Sequence, residues 1–314
     1  MPSEALQKLL ERMERRRLAA LEGPPRPKPT YEERRRAGEE SAFRVTEGTI
    51  VDAADTDGVR GEWVYWPDSD HSMRLMYLHG GGYVAGSPKA QRETASRLAK
   101  ASGCAVFSVI YGLGPERPFP AGLDDTIRAT DYVWNHGPSG PAPARSVAFS
   151  GVSAGGGLAA SAMIALRDRG LRLPDAAILM SPWADLAMVG ESYVVNEAPG
   201  AGPDGAAGRR ESAEAYLNGL DAKDPVASAV YGDQHGLPPM FIQVGDAEVY
   251  RDDSITLAER AKAHGVDVTL EVWPELFHAF QAFAPLLPEG QEAIEKLAAF
   301  LKVHMAAAAA TAAR

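Results

Sequence analysis

The 314-residue chain has one cysteine, Cys104, so no disulfide can form within it, and its cysteine usage gives no sign of an oxidising compartment. It has no apolar stretch of the length that a membrane span needs. The opening segment, MPSEALQKLLERMERRR, holds no apolar core of the signal-peptide type. A cytoplasmic protein without stable membrane association is therefore expected. Positive charge is in the minority, with 32 Lys and Arg against 42 Asp and Glu, for a net charge of −10. That balance argues against a nucleic-acid groove. Along the chain, His, Cys and carboxylate residues do not cluster at metal-ligand spacing, so no metal is expected. Cys104 opens an apolar run and reads as a small buried hydrophobe. There is no internal repeat.

What is present alternates. Residues 3–22 read as an amphipathic helix with Leu6, Leu9, Leu10 and Met13 on one stripe. Pro24, Pro25, Pro27 and Pro29 break it, and a second short helix is predicted over Tyr31–Glu40. Neither helix can bury a stripe alone, so both are expected to dock as part of a lid. Two strands, Phe43–Val51 and Val59–Trp66, flank the turn-prone Asp55-Thr56-Asp57-Gly58 and read as an antiparallel pair at a sheet edge. Six more strands follow, at Arg74–His79, Ala105–Ile110, Ser146–Ser150, Ala176–Ser181, Met240–Val244 and Val268–Trp273. Helices are expected at Lys89–Ala101, Leu123–Asn135, Ala154–Asp168, Ser254–Ala263 and Glu289–Val303. The strand runs alternate too little for half-exposed strands, which predicts a mainly parallel α/β sheet sandwiched by helices. The rhythm stops between Pro182 and Pro238, where Asn196–Gly208 is rich in Gly, Pro and Ala and Arg209–Leu217 reads as a helix. This insertion is expected to form a cap with the N-terminal helices. The Ala-rich tail Ala306–Arg314 is expected to fray.

Two motifs carry chemistry. The stretch VAFSGVSAGGGL at 147–158 runs from an apolar strand through Gly151-Val152-Ser153-Ala154-Gly155 into a helix. G-x-S-x-G in that context is a nucleophile elbow, whose tight turn leaves no room for a Cβ at either flank and exposes Ser153 Oγ at the strand end. The helix that follows aims the Ala154 N–H where an oxyanion could form. The second motif is His79-Gly80-Gly81-Gly82-Tyr83, directly after a strand. Such a loop turns two backbone N–H groups inward, making Gly81 and Gly82 candidate oxyanion donors beside Ala154. His79 is expected to hold the loop rather than to act as a base.

A serine nucleophile needs a base, and the base needs an acid that orients it. Of the four histidines after Ser153, His264 ends a predicted helix, His304 lies in the last helix, and His235 sits in a loop before Pro238. His278 follows the strand Val268–Trp273, on the same rim as Ser153, and is the candidate base. The acid should follow Met240–Val244, where Asp246, Glu248, Asp252 and Asp253 compete. Helix capping accounts for Asp252 and Asp253. Asp246 and Glu248 remain, and their side chains point the same way in an extended segment.

With these blocks in place, the chain from about 43 to 303 resembles the hormone-sensitive-lipase branch of the α/β hydrolases, the bacterial esterases of that group. HGGGYVAGS at 79–87, YGLGPERPFPAGLDD at 111–125, SGVSAGG at 150–156, SPWADL at 181–186, DPVASAVYGDQHGLPP at 224–239 and VGDAEVYRDDS at 244–254 carry the resemblance. It implies the α/β-hydrolase fold, a mostly parallel eight-stranded sheet flanked by helices, with a helical cap. The implied division is cap residues 1–42, core 43–186, cap insertion 187–223, core 224–305 and a flexible tail 306–314. It also implies a serine carboxylesterase for short- to medium-chain acyl esters, with no cofactor and with homodimers common among its members. The family register places the acid at Glu248, completing Ser153 and His278, and leaves Asp246 to a local Asx-type turn. Three positions depart from the family pattern. Val152 stands where an acid or Thr is usual and sets an apolar side chain beside the nucleophile. Gly112 and Gly114 replace an Arg and an Ala, removing an ion pair. Two rival functions on the same scaffold are a lyase, as in plant dehydratases resembling this family, and a non-catalytic small-molecule receptor. Receptors of that kind lack the histidine that His278 supplies here.

Overall fold

A computed structural model describes residues 3–22, 27–56, 58–197 and 205–312. One eight-stranded sheet forms the centre. Its strands are β1 (Ile50–Thr56), β2 (Val59–Tyr65), β3 (Asp70–Leu78), β4 (Cys104–Val109), β7 (Ser146–Val152), β8 (Ala176–Met180), β9 (Met240–Gly245) and β10 (Val268–Trp273), with a separate two-residue hairpin, β5 (His136–Gly137) and β6 (Gly140–Pro141). The spatial order is β1-β2-β4-β3-β7-β8-β9-β10. The β1–β2 and β2–β4 pairs are antiparallel, and all pairs from β4–β3 onward are parallel. Parallel neighbours require crossovers, and the chain supplies them as helices on both faces.

The central strands bury both faces, which is why their sequences run apolar without alternating. In β7, Val147 and Phe149 enter one core, with α4 (Ala121–Asn135), α5 (Ala154–Asp168) and α8 (Arg251–Ala263). Ala148 and Val152 enter the other, with α3 (Arg92–Ser102) and α9 (Pro288–Ala312). The edge strand β10 departs from the expectation of two buried faces, since only Val268 in it is buried. The segment predicted as a strand from Phe43 is irregular until Ile50. Its polar groups turn instead to α3, where Glu93 accepts from Thr46 N at 2.7 Å and Thr46 Oγ1 at 2.8 Å. The tail expected to fray stays helical to Ala312, consistent with alanine's high helix propensity.

The N-terminal helices dock at the rim where the parallel strands end. Of the α1 (Glu4–Glu22) stripe only Leu6 is buried, in a cluster with Leu276, Phe280, Leu287 and Ala293, while Met13 is exposed. Ser3 caps the contact through Glu289. Helix α2 (Tyr31–Glu40) opens with a capping box between Thr30 and Glu33. Its Arg35 donates to Val84 O at 2.9 Å and to Gly114 O at 3.0 Å. Within the insertion lie α6 (Ser192–Val195) and α7 (Ala206–Leu217), and the α7 residue Tyr216 stacks on Tyr83 with centroids 4.2 Å apart. Part of the Gly- and Pro-rich stretch expected to shape the cap, 198–204, and part of the proline connector, 23–26, lie outside the described residues.

Candidate active site

Ser153 stands between β7 and α5 with φ 56° and ψ −123°, a conformation L-residues rarely hold. The turn closes around it. A Cβ at Gly151 would stand 2.2 Å from Gly155 O, and one at Gly155 would stand 2.1 Å from Leu78 O. Only glycine lets these backbones meet. Ser153 N donates to Met180 O, and Ser153 O accepts from Trp183 N, both at 2.9 Å, so the strained residue is clamped on both sides.

His278 reaches Ser153 from the loop after β10. Its Nε2 lies 2.9 Å from Ser153 Oγ, and its Nδ1 lies 2.5 Å from Glu248 Oε2. The other carboxylate oxygen, Glu248 Oε1, accepts from Ser181 Oγ at 2.7 Å and from Gly245 N at 2.6 Å. Glu248 is buried, so these donors replace the water its charge has lost. Asp246 does not join them. Its carboxylate is about half exposed, 3.6 Å from Arg251 Nη1. The Asx-type turn expected there is replaced by this ion pair.

The acid loop is fixed from outside. Ala247 N donates to Leu276 O at 3.0 Å, and Asn196 Nδ2 donates to Asp246 O and Glu248 O. Asp252 and Asp253 sit in the first turn of α8 but cap other segments. Asp252 accepts from Ser192 N, and Asp253 from Ala184 N, Asp185 N and the Tyr193 hydroxyl. Burial and the neighbouring Asp185 push the Asp253 carboxyl well above the usual carboxylate range.

The glycine loop lies against the elbow: a Cβ on Gly80 would be 3.2 Å from Ser153 Cβ. Gly81 and Gly82 take φ of +131° and +64°, which turns their peptides away from a strand path. Ala154 opens α5, where helix N–H groups lack intrahelical partners. His79 is buried and stacks on Tyr111 at 4.3 Å, and the Tyr111 hydroxyl donates to His79 O at 2.6 Å. Burial lowers its pKa to about 4, so the ring is neutral and holds the loop.

Two departures read from sequence resolve differently in three dimensions. Val152 is 4% exposed and packs in the core shared with α9, so it is a packing residue and no wall for substrate. The ion pair lost at Gly112 is made by other residues. The Asp125 carboxylate accepts from Gly112 N at 2.8 Å, from Arg117 Nη1 at 2.6 Å and from Arg128. Ser181 was missed as a site residue. It is fully buried with φ +48°, and besides donating to Glu248 it accepts from Ala279 N at 3.2 Å. Its place at the head of the SPWADL block was the only signal. Cys104 is buried as expected, with its thiol pushed up to about 11 by burial. A cavity of about 480 Å³ lined by Trp66, Arg97, Lys100 and Lys302 lies between α3 and α9 and contains none of the residues around Ser153. Among the described residues no helix is long and apolar enough to cross a membrane.

A strand–elbow–helix with a glycine loop beside it, on a sheet of this order, defines a class, and comparison with known proteins agrees. The chain belongs to the α/β-hydrolase fold family, whose model matches residues 75–282. An acetyl-hydrolase of Streptomyces hygroscopicus is 45% identical over 241 residues, 77% of this chain and 79% of the relative. Carboxylesterase NlhH of Mycobacterium tuberculosis is 34% identical over 253 residues, 76% of each chain. Among solved structures, an esterase from the bacterial hormone-sensitive lipase family superposes with TM-score 0.87 at 37% identity, covering 97% of this chain and 99% of its own. The esterase EstE5 soaked with p-nitrophenyl butyrate superposes with TM-score 0.86 at 36% identity and the same coverage.

Proposed function

We propose that the protein is a serine carboxylesterase for short- to medium-chain acyl esters. The observation that carries this reading is the line of contacts from Ser153 Oγ to His278 Nε2 at 2.9 Å and from His278 Nδ1 to Glu248 at 2.5 Å. Ser153 Oγ attacks the ester carbonyl as His278 Nε2 takes its proton, and Glu248 orients the ring and stabilises the imidazolium. The oxyanion is held by the N–H groups of Gly81, Gly82 and Ala154. His278 then protonates the departing alkoxide, the acyl-enzyme forms, and water repeats the sequence to release the acid. The names acetyl-hydrolase and carboxylesterase among the relatives support an ester as substrate, and the butyrate ester soaked into EstE5 supports a short acyl chain. The test is hydrolysis of p-nitrophenyl esters of graded chain length by wild type and Ser153→Ala. Turnover should fall steeply beyond medium chains and be lost in the variant. Wild-type rates from the variant would rule out the serine mechanism.

A further inference from the structure

Asp233, His235 and His264 meet at the opposite end of the sheet, where the parallel strands begin. Asp233 and His235 lie in the loop that leads to β9, and His264 follows α8 shortly before β10. No single stretch of sequence shows the grouping, because His264 arrives from 29 residues beyond His235. His235 Nδ1 is 2.6 Å from Asp233 Oδ1, and His264 Nδ1 is 3.5 Å from the same oxygen. The two imidazoles stack with centroids 4.1 Å apart and planes 17° from parallel. One metal-binding atom from each of the three lies within 4.8 Å of the other two, the one such grouping among the described residues.

The loop is set before any ligand arrives. Arg167 Nη1, on α5, donates to Asp233 O at 2.8 Å and His235 O at 2.7 Å, and its own charge is met by Asp168 at 2.6 Å. Between the two loop residues, Gln234 is fully buried and donates Nε2 to Ala229 O. Its backbone N–H donates to His264 Nδ1 at 2.9 Å, which ties the loop to the end of α8. That bond leaves Nε2 to carry the proton of a neutral ring, so an ion at His264 would take the Nδ1 lone pair in place of the Gln234 N–H. An ordinary polar turn accounts for each bond singly. It does not account for all three donor groups gathering at one place, and because an ion lies in the plane of each ring that binds it, the stacked rings must turn apart on binding.

We propose that Asp233, His235 and His264 form a surface site for a divalent transition-metal ion, zinc in the first instance. Two imidazoles and one carboxylate suit zinc rather than calcium or magnesium, which take oxygen ligands, and solvent would complete a four-coordinate shell. A tetrahedral zinc about 2.1 Å from its ligands holds them about 3.4 Å apart, a spacing that His264 Nδ1 and Asp233 Oδ1 already have and to which Asp233 and His235 must open from their 2.6 Å contact. The side chains of Asp233 and His235 are 62% and 65% exposed and free to make that adjustment. Bound there, the ion staples the loop before β9 to the end of α8 and takes no part at Ser153.

The test uses tag-free protein treated with chelator and then titrated with zinc chloride by calorimetry, with the melting temperature followed in parallel. One zinc per chain should bind, and saturating zinc should raise the melting temperature by several degrees. His235→Gln and Asp233→Asn alter exposed side chains, and each should weaken binding by about tenfold or more. Hydrolysis of p-nitrophenyl acetate should be the same with and without zinc, and Ser153→Ala should bind zinc like wild type, so the site stands or falls apart from the esterase reading. Absence of saturable uptake in the wild type would overturn the proposal, as would undiminished uptake in both variants.

Discussion

Two carboxylates follow β9, and at the scale of single residues the chemistry depends on which one the fold buries. Glu248 is buried with donors on both oxygens, whereas Asp246 stands at the surface beside Arg251. Glu248→Gln keeps the shape but cannot stabilise the imidazolium, so kcat should fall by orders of magnitude. Asp246→Asn should leave kcat within about twofold, since it removes only an exposed ion pair. Equal losses in the two variants would reverse the assignment. Ser181 extends the argument as a positioning residue, because its hydroxyl fixes Oε1 and leaves Oε2 to His278. A hydrogen bond to a charged group contributes about 1.5–3 kcal/mol. Ser181→Ala should therefore lower kcat by about tenfold or more with KM unchanged, and a change confined to KM would contradict the role. Ser153 and His278 were legible as candidates because each lies just past a strand on the same rim, Ser153 within a glycine turn and His278 in the loop after β10. Ser181 was not, because a hydroxyl that serves a carboxylate 67 residues away leaves no local pattern. The roles given to Asp252 and Asp253 failed for a related reason. Position in the first turn of a helix suggests capping, but both carboxylates accept instead from backbone N–H groups of the segment after β8.

Among the elements, β4, β7, β8 and β9 were read to within two residues at each end, because there the apolar run and the strand are the same residues, and the half-exposed edge strand β10 was read at its observed bounds. The misplaced strand start at Phe43 arose where side chains of α3, and not a neighbouring strand, satisfy the backbone. The glycine loop gives an element-scale prediction. His79 is folded with its pKa at about 4, below the ordinary 6.5, because burial excludes the charged ring. A depressed pKa favours folding fully above the unfolded value, and that contribution is lost as pH falls from 6.5 toward 4. The span corresponds to about 3 kcal/mol. His79→Gln removes the titration, so although the variant starts less stable, it should lose less stability between pH 7 and 4.5 than wild type. Urea unfolding at each pH measures this, and parallel slopes for the two proteins would show that His79 does not govern the acid limb.

On the scale of the whole molecule, the candidate site lies at one end of the parallel strands, and the N-terminal helices are fastened to that same end. Leu6 packs on Leu276 and Phe280, either side of His278, while Arg35 grips the backbone at Val84 and Gly114. Helix α7 meets the glycine loop from the insertion through Tyr216 on Tyr83. Neither α1 nor α2 lies in a sheet layer, and the large cores between sheet and helices contain no residue from either. Removing residues 1–40 should therefore leave the sheet and its two cores folded while uncovering the loops around Ser153 and His278. The truncated protein should keep most of its far-ultraviolet circular dichroism and lose the wild-type chain-length preference among p-nitrophenyl esters. Leu276 and Phe280 would also become exposed, so binding of an apolar dye should rise. A soluble truncation with an unchanged chain-length profile would mean that these helices only brace the rim. The acyl limit would then have to be set by the insertion between β8 and β9.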